Sequence, residues 1–203
     1  RKKINGELIY FNSAYLLSQS GETLSRYDKI HLVPFGEFVP FRKVLFFIEK
    51  LVVMIGDFGR GQKATVMETA GNRAGVSICY EIIFDQIFNN INKKKIDILI
   101  NITNDSWFGN KIGPYQHFYL TRIKALVANK PLVRVSNNGI SAIIDQNGDI
   151  IKSSVLNKVS KLSFKLKMNK TISFIYFHNL FSYYLVILFF VLLIFNRKNL
   201  NAN

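Results

Sequence analysis

Three residue types with reactive potential stand close together in kind, if not in sequence: Cys79, Lys29 and Glu37. Cys79 is the only cysteine of the 203-residue chain, so no internal disulfide can form. It follows an apolar β-type run, residues 74–78, and precedes a helical pattern from Ile82 to Ile91. A sulfur at such a turn lies near the positive end of a helix, which favours thiolate over thiol and makes it a nucleophile. A lysine beside it would lower the thiol pKa further and steady an oxyanion, the part we assign to Lys29. Glu37 would hold that lysine by a charge-assisted hydrogen bond. Glu81, two residues after the cysteine, pairs with the helix dipole. Each has a plainer alternative at this stage: a buried core cysteine, a surface lysine, a loop carboxylate.

The three histidines, His31, His117 and His178, are scattered. Only His117, after Gly113-Pro114, is kept as a rival base. There is no metal-ligand spacing, no phosphate-binding loop and no dinucleotide glycine fingerprint.

The elements that must position these residues alternate between strand and helix. Leu8–Leu17 and Leu24–Tyr27 are predicted strands of a hairpin, and Tyr27–Glu37 an ordered loop broken by Pro34 and Gly36. Phe38–Ile55 has helical spacing with a very wide apolar face. It is either a core helix or an amphipathic arm that meets a bilayer or covers an acyl-chain pocket. Thr65–Glu68 and Ala74–Ile78 are predicted strands around the turn Ala70-Gly71-Asn72. Ile96–Ile102 suits a strand buried on both faces. Gln116–Asn129 is a predicted helix burying Phe118, Thr121, Ala125 and Ala128. Strands follow at Leu132–Ser136, Ile140–Asp145, Ile150–Val155 and Val159–Leu166, with a hairpin turn at 146–149. This alternation is an α/β fold in which helices cover sheet.

Hydrophobic content of 49% and a mean hydropathy of +0.14 point to a membrane segment. Ile172–Phe195 supplies one, since about 20 apolar residues span a bilayer core. The domains expected are 1–170, a transmembrane helix at 171–196 and a polar tail at 197–203. The net charge of +14 is scattered, its one tight run being Lys93-Lys94-Lys95. No nucleic-acid motif accompanies it, so anionic headgroups are the expected use of the charge. No signal peptide opens the chain, and Arg1-Lys2-Lys3 reads as the continuation of something longer.

Four blocks occur in order: Tyr27-Asp28-Lys29-Ile30-His31-Leu32-Val33-Pro34-Phe35-Gly36-Glu37, Ile78-Cys79-Tyr80-Glu81, Asn104-Asp105-Ser106-Trp107-Phe108-Gly109 and Gly113-Pro114-Tyr115-Gln116-His117. They resemble the carbon-nitrogen hydrolase (nitrilase) superfamily, and within it the bacterial apolipoprotein N-acyltransferase branch. The resemblance implies a nitrilase-like α-β-β-α sandwich, incomplete at the N-terminus, followed by one transmembrane helix. It implies a Glu-Lys-Cys triad with Cys79 as nucleophile, Lys29 at the oxyanion and Glu37 as a second glutamate beside the lysine. Tyr80, Glu81 and Trp107 match residues that shape or support the pocket. The implied reaction takes an acyl chain from a phospholipid as a thioester and passes it to the N-terminal amine of a diacylglyceryl-cysteine lipoprotein. It needs no cofactor and no metal. Its partners are the phospholipid donor, the apolipoprotein acceptor and the membrane, with no nucleic acid. Its place is the bacterial inner membrane with the domain on the periplasmic side, although Lys161, Lys165, Lys167 and Lys170 before the helix would by themselves argue the reverse.

One departure matters. The family's general-base glutamate lies further upstream than the 28 residues before Lys29, and Glu7 and Glu22 are too close to the lysine to be it. Two rivals to the transferase stay open: a small-amide hydrolase of the same superfamily, and an inactive membrane-anchored remnant.

Overall fold

The structure is a computed structural model that describes residues 1–4, 7–41, 58–69, 71–166, 168, 181 and 183–192. Strands β1 (Lys2–Ile4) and β2 (Glu7–Ile9) form a small antiparallel pair. β3 (Ser13–Leu17) and β4 (Thr23–Asp28) form the expected antiparallel hairpin. The single strand expected over Leu8–Leu17 is therefore two strands. Between them the backbone serves other segments: the Tyr10 carbonyl accepts from Gly59 N–H and the Asn12 carbonyl from Lys29 N–H.

After β5 (Val66–Thr69) and β6 (Asn72–Ile78) come α1 (Asp85–Asn92), β7 (Ile98–Thr103), α2 (Ile112–Ala128), β8 (Leu132–Ser136), β9 (Ala142–Ile144) and β10 (Ile150–Ser153). The six strands form one sheet in the order β10-β9-β8-β7-β6-β5. Its centre, β6-β7-β8, is parallel, and each crossover carries a helix, as parallel pairing requires. The outer pairs are antiparallel.

Side chains alternate across the sheet. Leu99, Leu132, Ala142 and Ile144 pack with Ile87, Phe88, Ile91, Phe118, Ala125 and Ala128 on the helix side. Ala74, Val76, Ile78 and Ile98 face Ala14 and Tyr27 of the β3–β4 hairpin on the other. Gly75 lets α1 approach: a Cβ there would stand 2.3 Å from a methyl of Ile91. The described layers are thus helices, the six-stranded sheet and a hairpin.

Two expectations need correction. The helix from Ile82 is a 3-10 turn over Cys79–Ile83, broken by extended Phe84, with α1 starting at Asp85. Cys79 therefore opens a 3-10 turn and does not sit at the end of an α-helix. The strand expected at Val159–Leu166 is absent; that stretch pairs with no strand, and Val159 is exposed. Trp107, expected to support the pocket, is 74% exposed. Most of Phe38–Ile55 and of the transmembrane segment 171–196 lies outside the described residues. Residues 183–192 are helical with exposed apolar side chains. Among the described residues no helix is long and apolar enough to cross a membrane.

Candidate active site

Cys79 leaves the carboxyl end of β6 with φ +57. That left-handed backbone costs a non-glycine residue about 1 kcal/mol or more, so the surroundings must impose it. Two sets of hydrogen bonds do so.

The first centres on Glu81, whose side chain is fully buried. One oxygen accepts from the backbone N–H of Ile30 at 2.5 Å and of His31 at 2.9 Å. The other accepts from Ile78 N–H at 2.8 Å and from the Tyr27 hydroxyl at 2.9 Å. One carboxylate therefore ties the loop that carries Lys29 to the turn that carries Cys79. Burial pushes the Glu81 carboxyl up and the N–H donors pull it back. Burial, then the Glu81 charge, holds the Tyr27 hydroxyl far above its ordinary range, so it remains a donor.

The second set lies on the helix side of the sheet. Ser77, Asn101 and Arg134 occupy one cross-strand row in register. Asn101 Nδ2 donates to the Cys79 carbonyl at 3.1 Å and to Ser77 Oγ at 3.1 Å. Its Oδ1 accepts from Arg134 Nη1 at 2.7 Å, which fixes the amide orientation. Arg134 is buried and also donates to Thr121 Oγ1 at 2.9 Å and to Asp105 Oδ2 at 2.7 Å. Asp105 Oδ1 meets His117 Nδ1 at 2.9 Å. Burial would raise the Asp105 carboxyl, but the His117 bond and the Arg134 charge hold it at about 2. His117 is pushed down by burial and by Arg134, against the pull of Asp105.

Lys29 is 1% exposed, and its Nζ lies 2.9 Å from Glu37 Oε1 and 2.8 Å from Oε2. Asn12 Nδ2 and Val33 N–H, each at 2.9 Å, occupy the remaining acceptor positions of Glu37. The loop is clamped from behind by Gly61, whose N–H donates to the Lys29 carbonyl at 2.7 Å. A Cβ on Gly61 would lie 2.0 Å from the Asp28 carbonyl oxygen, so only glycine fits there.

The structure thus brings Lys29 and Glu37 into contact and binds their loop to the Cys79 turn through Glu81. The Tyr80 ring lies 5.5 Å from that of His117 and 6.1 Å from that of Phe108. His117, the rival base, is buried with Nδ1 committed to Asp105. Sequence reasoning missed Tyr27, Asn101 and Arg134. A signal existed for Asn101, which with Asp97 interrupts the apolar run Ile96–Ile102; Arg134 gave none. Among the described residues no cluster could hold a metal ion.

Residues 1–164 match the family model described as carbon-nitrogen hydrolase. The chain belongs to the carbon-nitrogen hydrolase family. Among curated relatives, the apolipoprotein N-acyltransferase of Geobacter metallireducens is 42% identical over 173 residues, 85% of this chain and 33% of that protein. That of Rickettsia typhi is 41% identical over 160 residues, 78% and 32%. The chain spans about a third of the length of these relatives. Among solved structures, the carbon-nitrogen hydrolase of Helicobacter pylori superposes with a TM-score of 0.58 at 17% identity, over 78% of this chain and 56% of that one. The glutamine-dependent NAD+ synthetase of Acinetobacter baumannii gives 0.58 at 21%, over 74% and 27%. These two likenesses establish the carbon-nitrogen hydrolase fold.

Proposed function

We propose that this carbon-nitrogen hydrolase chain is the nucleophile-bearing part of a membrane N-acyltransferase of lipoprotein maturation. The observation that supports the proposal is the Glu81 tether, which links the loop carrying the Lys29–Glu37 ion pair to the turn that carries Cys79. The identity to apolipoprotein N-acyltransferases at 35–42% supports the substrate class. An amidase of a Nesterenkonia species, alike in fold with a TM-score of 0.54, carries the acetamide moiety of fluoroacetamide on its active-site cysteine.

In the proposed reaction the Cys79 thiolate attacks an ester carbonyl of the phospholipid. The developing oxyanion takes the Lys29 ammonium as its partner. The C–O bond breaks, the lysophospholipid oxygen leaves with a proton, and a thioester remains. The lipoprotein amine then attacks that thioester, forming an amide and returning the thiol. Glu37 and Glu81 are fully engaged as acceptors, so neither is the group that takes the thiol proton. We assign that step to the family's upstream glutamate. The inner-membrane location and periplasmic orientation belong to the same proposal, as does anchoring through 171–196.

The test is intact-mass analysis after incubation with a phospholipid of defined chains, for this chain alone and joined to the upstream portion of a relative. An acyl adduct on Cys79, absent from Cys79→Ser and Lys29→Ala, is the expected result. An adduct that survives Lys29→Ala rejects the site. No adduct in either context supports the inactive remnant, and turnover of small amides without lipid adduct supports the hydrolase.

A further inference from the structure

A groove of about 660 Å³, which Cys79 does not line, runs between residues 60–64 and the flank of α1. Arg60, Lys63, Lys93 and Lys94 line it together with His31, and among the described residues no carboxylate does. Two separate stretches of chain bring these cations together. Among the described residues, Asp85 pairs with Lys124, Asp97 with the Arg73 backbone and Glu81 with the Lys29 loop. Burial, then Arg60 and Lys29, hold His31 below its usual range, against the pull of Glu37. The carbonyl end of α1 opposes the positive field of the groove with about half an elementary charge, against four full cations. Gln62, Gln86 and Asn90 add amide donors along the wall. Among the described residues no tyrosine, tryptophan or phenylalanine lines the groove.

We propose that this groove binds a phosphate-type anion, either free phosphate or the phosphodiester of a lipid headgroup. Convergent cations with hydrogen-bonding amides match a compact oxyanion. The proposal stands on the groove alone; only its lipid form rests on the acyl-transfer reading.

Calorimetric titration of the full chain tests it, using inorganic phosphate and, separately, glycerophosphoglycerol, at about 50 mM salt, where screening is modest. Three proteins are compared: the parent, Lys63→Gln with Lys94→Gln, and the charge-matched control Lys158→Gln with Lys161→Gln, which lies outside the groove. The expected result is saturable binding of one anion, weakened about tenfold or more in the groove variant and unchanged in the control. Equal weakening in both variants, several anions per chain, or no saturable binding overturns the proposal. Binding of the phosphodiester assigns the site to a headgroup; binding of inorganic phosphate alone assigns it to the free anion. The Cys79→Ser chain binds equally well in either case, which separates this test from that of the acyl-transfer reaction.

Discussion

At the scale of single residues, the burden falls on Glu81. It looks like a routine acidic residue at a helix start, yet it accepts four hydrogen bonds from three segments while fully buried. A neutral amide in its place would point an N–H group at donors that need an acceptor. Glu81→Gln is therefore expected to cost about 3 kcal/mol in urea unfolding, the range for buried bonds to a charged group. It should also abolish the Cys79 adduct under conditions where the protein stays folded. A glutamine variant as stable as the parent would remove the tether from the account. Gly61→Ala tests the same loop from behind, because its methyl would strike the Asp28 carbonyl. The expected outcome is loss of the adduct with β6 and β7 still protected in hydrogen exchange.

The polar row Ser77, Asn101 and Arg134 shows at the scale of elements why a strand can be legible while its chemistry is not. Ile96–Ile102 announces a buried strand by composition, and β7 is there, but the partners of Asn101 are set by register with β6 and β8. Register is a long-range property that no local window contains. The same reason explains the helix after Cys79. Its apolar spacing is correct for α1, but Glu81 turns inward to the Lys29 loop, and His31 stacks on Phe84 at 3.6 Å, so the chain breaks before Asp85. The four motif blocks, by contrast, were legible because each is a contiguous stretch of sequence. Arg134 and Asp105 together predict an acid response. The Asp105 pKa is depressed from 3.8 to about 2, so its contribution is fully present above pH 3.8 and is lost as pH falls through the folded value. That contribution is on the order of 2 kcal/mol. His117 is also depressed, so its share is present above pH 6.5 and is lost on acidification through its folded pKa. Urea midpoints measured from pH 7 to pH 2 should fall in both windows. Asp105→Asn should start lower and flatten the acid limb; an unchanged limb would refute the assignment.

At the scale of the whole molecule, apolar side chains among the described residues remain that the core does not cover. On the hairpin side of the sheet, Ile102 and Val135 remain 43% and 50% exposed beyond the reach of β3 and β4. At the other end, the apolar side chains of 183–192 all face solvent. Ten helical residues rise about 15 Å, half a bilayer core, so the described helix does not span by itself. With a net charge of +14, two modes of membrane contact compete, and salt separates them. Attraction of surface lysines to anionic headgroups decays within about 10 Å at 0.1 M salt and 3 Å at 1 M. Insertion of apolar side chains does not weaken with salt. Flotation with phosphatidylglycerol vesicles should therefore show binding that persists at about 1 M salt if the C-terminal segment inserts. Deleting residues 171–203 should convert that binding to a salt-sensitive form that phosphatidylcholine vesicles do not support. Full release of the intact chain at high salt would mean that charge alone holds it, and the anchoring role of the segment would fail.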